Sequence, residues 1–325
     1  MNNLYHLLLK AARKVYLKVI KTSNTITPIV EEEDPDMVSR MIYDVLSKEG
    51  PCMVARFGAN ELSCMVNYLA MQDKSPSAID YIKGGIDEWW GWNDGMIKKM
   101  YYNAGFFPPT NEYLMRFSQL MLEESKEVDV LAVIKSTKAN LAKVISYLSA
   151  SVKYSLLLSV DPFRSKEPWS RALGGKRVLV VHPFSEDIKR QYENREKLFE
   201  DSRVLPEFAS LRVVKAVQSH AGEDGGFSDW FEALDWMRSE MDKEPYDVAL
   251  IGCGAYGFPL AAHSKRTGHK SVHLGGSLQL LFGIKGKRWD NPNYQMDKYF
   301  NEYWINPSAS TRPKHIDKVE DGCYW

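Results

Sequence analysis

A chain of 325 residues, 44% of them hydrophobic, is long enough to bury one large core or two modest ones. Its 42 basic and 42 acidic side chains balance, so no overall basic field points to nucleic acid as a partner. Cys52, Cys64, Cys253 and Cys323 form no C-x-x-C pair or zinc spacing, no secretory leader is recognisable, and no apolar run approaches the roughly 20 residues of a membrane span. Free thiols in a reducing cytoplasm are the expectation.

The first 33 residues read as a unit of their own. Leu4, Leu7, Leu8, Ala11, Val15 and Val19 recur at helical spacing among Lys10, Arg13, Lys14, Lys18 and Lys21, with no acid before Glu31. Such a basic amphipathic helix suits the inner face of an anionic membrane, and equally suits packing on its own domain or on a second copy in a homo-oligomer. Glu31, Glu32, Glu33 and Asp34 then read as an acidic linker.

An α/β body is expected over 34–290, with a sub-boundary conceivable near Gly174 and one continuous sheet as the alternative. Pro35 opens a helix to about 48, strand 52–57 follows, and a second helix spans 60–71 with Leu62, Met65, Val66 and Leu69 inward. Trp89, Trp90 and Trp92 fit core or an interface better than a sugar platform. Strands are predicted at 128–134 and 154–160, with a helix at 138–149 between them. From Lys176 the alternation is regular: strands 177–181, 211–217, 247–251 and 270–274, with helices at 186–199 and 228–241, the latter capped by Ser228. Together these predict a Rossmann-like, mostly parallel sheet with helices on both faces. The tail over 291–325, rich in Pro, Asn and aromatics, is expected to wrap the body.

The segment running through the 247–251 strand ends in Gly252-Cys253-Gly254-Ala255-Tyr256-Gly257, a G-x-G-x-x-G loop opening a helix. Gly252 allows a tight turn, Gly254 lets backbone approach a diphosphate, and Gly257 lets helix pack on strand. A dinucleotide fold would place an acid for the ribose at the end of the next strand. Here that strand runs into Gly275-Gly276-Ser277 without a carboxylate, which argues against NAD.

Ligands of open parallel sheets bind outside the carboxyl ends of the strands. That rule gathers His182 to Glu186, then Gln218, His220, Glu223 and Asp224, then the glycine loop, then Gly275 and Gly276. Arg56-Phe57-Gly58-Ala59-Asn60-Glu61 repeats the arrangement, with an arginine ending a strand and a carboxylate in the next helical turn. Lys285, Lys287 and Arg288 offer three cations to a diphosphate, and Trp289 a ring for a base or sugar.

Arg56-Phe57-Gly58-x-x-Glu61 resembles the Arg-Phe-Gly-Asp-Gly-Glu segment of the GT-D fold glycosyltransferases, and the 247–276 stretch is similar to that family's strand, glycine loop, helix and strand. The resemblance implies transfer of a sugar from a nucleoside diphosphate donor, a UDP-sugar first, to a glycan or lipid-linked acceptor in surface polysaccharide or glycoconjugate assembly. It implies a divalent metal, Mn or Mg, at the family's Asp-x-Glu, where this chain has Ala59-Asn60-Glu61 and only Glu61 carries over. Within that reading Gly252, Gly254, Tyr256, Gly257, Gly275, Gly276, Lys285 and Arg288 hold the donor. Arg56 holds its phosphates, and Glu61 or Asp224 takes the acceptor's proton or holds a cation. A methyltransferase or oxidoreductase using the same loop, and a non-catalytic nucleotide-binding partner protein, are the alternatives.

Overall fold

The computed structural model describes residues 3–20, 29–72, 78–83, 92, 94–219, 223–313 and 322–325. Its centre is a single parallel sheet of seven strands in the order β3-β2-β1-β7-β6-β4-β5. The strands are β1 Cys52–Arg56, β2 Val130–Val133, β3 Lys153–Leu156, β4 Arg177–His182, β5 Ser210–Lys215, β6 Val248–Ile251 and β7 Lys270–His273. Every pairing is parallel, and β1 pairs directly with β7, so the sheet runs unbroken across Gly174. This is a Rossmann-like α/β architecture.

The short apolar runs explain the two covered faces. Along each central strand alternate residues enter opposite cores: Met53, Ala55, Leu179, Val181, Ala249 and Ile251 on one side, Cys52, Val54, Val178, Val180, Val248 and Leu250 on the other. Helices Ala59–Gln72, Asn111–Glu124, Trp230–Asp242 and Gly257–Arg266 cover the first face. Helix Pro35–Ser47, helix Ser185–Glu193 and the tail, through Met296 and Trp304, cover the second.

Several boundaries differ from the sequence reading, each for a local reason. The strand predicted over 154–160 stops at Leu156, and Leu157–Val160 coils into a 3-10 turn. The predicted 186–199 helix breaks at Asn194, whose backbone leaves helical geometry (φ −97°, ψ 11°) and whose side-chain amide donates to the Arg190 carbonyl. Asp229, not Ser228, caps the Trp230–Asp242 helix: its carboxylate accepts from the N–H groups of Phe231 and Glu232, and Ser228 instead donates to Glu232. The residues expected to form an acidic linker lie against the sheet edge. Glu32 exchanges backbone hydrogen bonds with β3, and Glu31, 8% exposed, pairs with Lys138 at 2.6 Å.

Helix Asn3–Val19 stands apart from both cores. Among the described residues it docks on the short helix Ala78–Lys83 through Leu9 and Arg13. Of the tryptophan group, Trp92 packs against the first core, and Trp89 and Trp90 lie outside the described residues. No described helix is long and apolar enough to cross a membrane.

Candidate functional site

Strand order fixes where a ligand can enter. The chain leaves β1 toward β2 and returns to its other side at β7, and likewise leaves β4 toward β5 and returns at β6. Both reversals open crevices at the carboxyl edge, and these merge into one cleft of about 470 Å³. That volume lies within the range of small-molecule sites.

Two segments almost 200 residues apart meet there. Arg56, Gly58, Ala59, Asn60 and Glu61 line one wall, and Gly252, Cys253 and Gly254 line the floor. Phe57 and Phe258 stack at 4.5 Å behind them and hold the two loops together. The Arg56 guanidinium packs across Gly275, where φ is +63° and an added Cβ would fall 2.5 Å from Nε. Its described hydrogen bond is a long one, 3.4 Å, to the Phe57 carbonyl, and among the described residues no carboxylate pairs with it. An unpaired arginine facing a cleft is equipped to take an anion. Glu61, 8% exposed, folds back over Gly58 in the first turn of its helix, where the dipole favours a carboxylate.

The three glycines of the loop serve different ends. Gly252 is required by the protein itself, because a Cβ there would lie 2.6 Å from the Gly275 carbonyl. Gly254 turns the chain at φ +59° and lines the cleft, so it fits the role of a close approach to ligand. Gly257 packs the helix on β7, with an added Cβ 2.1 Å from the His273 ring. The first turns after Gly58 and Gly254 both open at the cleft and leave N–H groups without intrahelical acceptors.

Not every residue expected at the site is in the cleft. Tyr256 is core: its ring stacks on Trp230 at 4.7 Å and its hydroxyl bonds Ser219. Lys285 turns away, its ammonium over the Phe300 ring, and Gly275 and Gly257 lie behind the lining. Asp224 sits in an exposed surface turn, where it accepts from the Gly226 N–H. Glu223 is not part of the lining, and His220 lies outside the described residues. Gly276, Arg288 and Trp289 are in the cleft wall, and Gly276 lies under the Tyr324 ring, 2.1 Å from an added Cβ.

The cleft also holds Asp161, Tyr324 and Trp325, which the sequence reading passed over, and His182, which it placed only among the polar residues of one loop. Asp161 follows the 3-10 turn after β3, lines the cleft and is 6% exposed. Burial raises its pKa against the opposing pull of Arg164, which donates at 3.1 Å, and of Ser277. His182, at the end of β4, accepts the Phe184 N–H on Nδ1 at 3.0 Å, so the neutral ring carries its proton on Nε2. Burial pushes its pKa down to about 3, which makes it an uncharged donor at neutral pH. Tyr324 and Trp325 complete the wall. Arg288 lies over the Tyr324 ring at 4.4 Å and donates to the Cys323 thiol, while Trp325 meets Phe184 edge-on at 5.5 Å.

Burial raises the thiol pKa of Cys253, which disfavours the reactive thiolate. Among the described residues no three His, Cys, Asp or Glu side chains cluster in the manner of a protein-held metal site. Among the described residues the side-chain carboxylates that line the cleft are Glu61 and Asp161, and Asp161 is held by Arg164. No family model, curated protein or solved structure matches the chain. The chemistry of the cleft therefore rests on its own residues: two arginines and two helix N-termini suited to an anion, the Glu61 and Asp161 carboxylates, and aromatic walls.

Proposed function

We propose that the protein is a glycosyltransferase that moves a sugar from a nucleoside diphosphate donor to an acceptor hydroxyl, in surface polysaccharide or glycoconjugate assembly. The observation that carries this reading is the convergence of Arg56 and Glu61 with Gly254 on one cleft. The donor diphosphate lies between Gly254, Arg56 and Arg288, and Trp289 or Tyr324 offers a face to the base or sugar. The acceptor oxygen attacks the anomeric carbon and its bond to the phosphate oxygen breaks. The leaving nucleoside diphosphate keeps the electron pair, and the acceptor proton passes to Glu61. Arg56, Arg288 and the helix N-termini stabilise the charge that builds on the departing diphosphate. A divalent cation entering with the donor would find Glu61 as its protein ligand, and donor phosphates commonly supply the rest of such a shell.

A thermal-shift panel of nucleotide sugars on the full chain, each with and without manganese or magnesium, tests the reading. A donor at a hundred times its Kd stabilises by about 2.7 kcal/mol, a rise of about 4 °C for a chain of this size. One diphosphate sugar, UDP-linked first, is expected to give that shift, and Glu61→Gln is expected to keep the shift while losing transfer. Stabilisation by S-adenosylmethionine or NAD(P) with no response to any nucleotide sugar would overturn the proposal. A donor shift with neither hydrolysis nor transfer would instead mark a non-catalytic nucleotide-binding partner, a reading that the exposed Ala59 at the cleft mouth favours.

A further inference from the structure

The Asn3–Val19 helix carries an apolar face that the described residues leave uncovered. Leu4, Leu7, Leu8, Val15 and Val19 are each between 60% and 76% exposed. At 100° per residue, Leu4, Leu8, Ala11, Val15 and Val19 fall within an arc of about 80°. The other side of the helix is fixed by contact. Leu9 is buried against Tyr81, and Arg13 donates to the Tyr81 carbonyl at 2.7 Å with its guanidinium 4.8 Å from that ring. Docking at Leu9 and Arg13 therefore holds the leucine and valine row outward.

Charge selects what covers that row. Lys10, Lys14 and Lys18 recur every four residues along one flank of the apolar arc, all exposed, and no Asp or Glu occurs before Glu31. A second copy of the same helix would bring like charges together along this flank with no acid to offset them. An anionic lipid surface satisfies both features, because acyl chains accept the apolar row while headgroups accept the lysines. We infer that this helix is a peripheral membrane anchor that lies in the headgroup region of an anionic phospholipid bilayer. The inference is independent of the chemistry in the cleft and stands or falls without it.

Co-sedimentation of the full chain with vesicles is the test, using phosphatidylcholine alone and phosphatidylcholine with a share of phosphatidylglycerol. Binding is expected to the anionic vesicles and to weaken as salt rises from about 0.1 M to about 0.5 M. The double substitution K10E/K14E is expected to lower that binding roughly thirtyfold or more, from the contribution of each lysine near a charged surface. L8E/V15E is expected to abolish it. All four side chains are exposed, so the thermal midpoints should match the parent, and a vesicle-free control removes any pelleting by aggregation. Equal binding to neutral and anionic vesicles, or undiminished binding by L8E/V15E, would overturn the inference. So would an absence of vesicle binding, and a dimer in sedimentation velocity that L8E/V15E converts to monomer would name a second copy as the occupant instead.

Discussion

Acidification from pH 7 to pH 5 should cost this fold about 4 kcal/mol through two buried histidines, of which His182 lines the cleft. His182 and His273 are each 3% exposed, and burial pushes each down to about 3, with the Arg56 charge adding to the effect on His273. In the unfolded chain a histidine titrates near 6.5. Between about 3 and about 6.5 the unfolded chain binds protons that the native state excludes, so stability falls as pH is lowered through that window. Integrated from pH 7 to pH 5, each ring contributes about 2 kcal/mol, a large share of the 5–15 kcal/mol typical of a folded domain. Urea unfolding at pH 7, 6 and 5, followed by tryptophan fluorescence, compares the parent with H182N/H273N. Asparagine keeps the local bonds: its carbonyl can accept from the Phe184 N–H, and its amide can donate to the Ile251 carbonyl that now takes the His273 Nδ1 proton. Other groups titrate alike in both proteins, so the difference in their pH dependence isolates the two rings. An equal loss in parent and variant would refute the reasoning, because it would mean the native state accommodates both imidazolium ions.

Three further outcomes follow from named contacts. Arg56→Met should weaken nucleoside diphosphate binding by roughly 10- to 100-fold in calorimetry, the worth of a charge-assisted bond, and leave the melting midpoint nearly unchanged. A drop in stability without a drop in affinity would place Arg56 in the scaffold. Ellman's reagent should find at most one reactive thiol in the native protein, Cys323, because Cys52, Cys64 and Cys253 are buried and burial raises the first two to about 11 and about 12; all four should react in denaturant. Glu124→Ala should destabilise by about 3–5 kcal/mol in urea titration, since this carboxylate, 2% exposed, pairs with Arg238 and Arg266 and ties three helices of one sheet face together.

The fold was legible because its strands announce themselves. Cys52–Arg56, Arg177–His182 and Val248–Ile251 are short apolar runs flanked by turn residues, as both-face burial in a parallel sheet requires. The glycine loop and Arg56 were legible for a related reason: each lies where a strand ends, and that edge is where ligands bind. Asp161 was hidden because Leu157-Leu158-Ser159-Val160 continues the apolar pattern of β3, so periodicity alone extends the strand through the turn that delivers Asp161 to the cleft. His182 looked like one polar loop residue among several, and only its burial and the Phe184 bond make it a fixed donor. Tyr324 and Trp325 could not be placed at all, since a chain end carries no periodicity. Tyr256 and Lys285 show the converse: a motif position and a basic cluster say nothing of which way each side chain turns.

The place of Ala59 bears on how the proposed donor would be held. A carboxylate there would stand at the mouth of the cleft beside Glu61, and two adjacent acids would repel a diphosphate unless a cation lay between them. With alanine, the charged side chains lining the cleft among the described residues are Arg56 and Arg288 against Glu61 and Asp161. Asp161 spends its charge on Arg164, and burial raises its pKa besides. Among the described residues, two arginines and two helix N-termini then stand with Glu61 at the cleft, a set that suits the proposed anion. Arg288 is seated over the Tyr324 ring and donates to the Cys323 thiol. Tyr324 and Cys323 thus brace Arg288 in the cleft wall, and with alanine at position 59 that brace would weigh more in holding the proposed diphosphate.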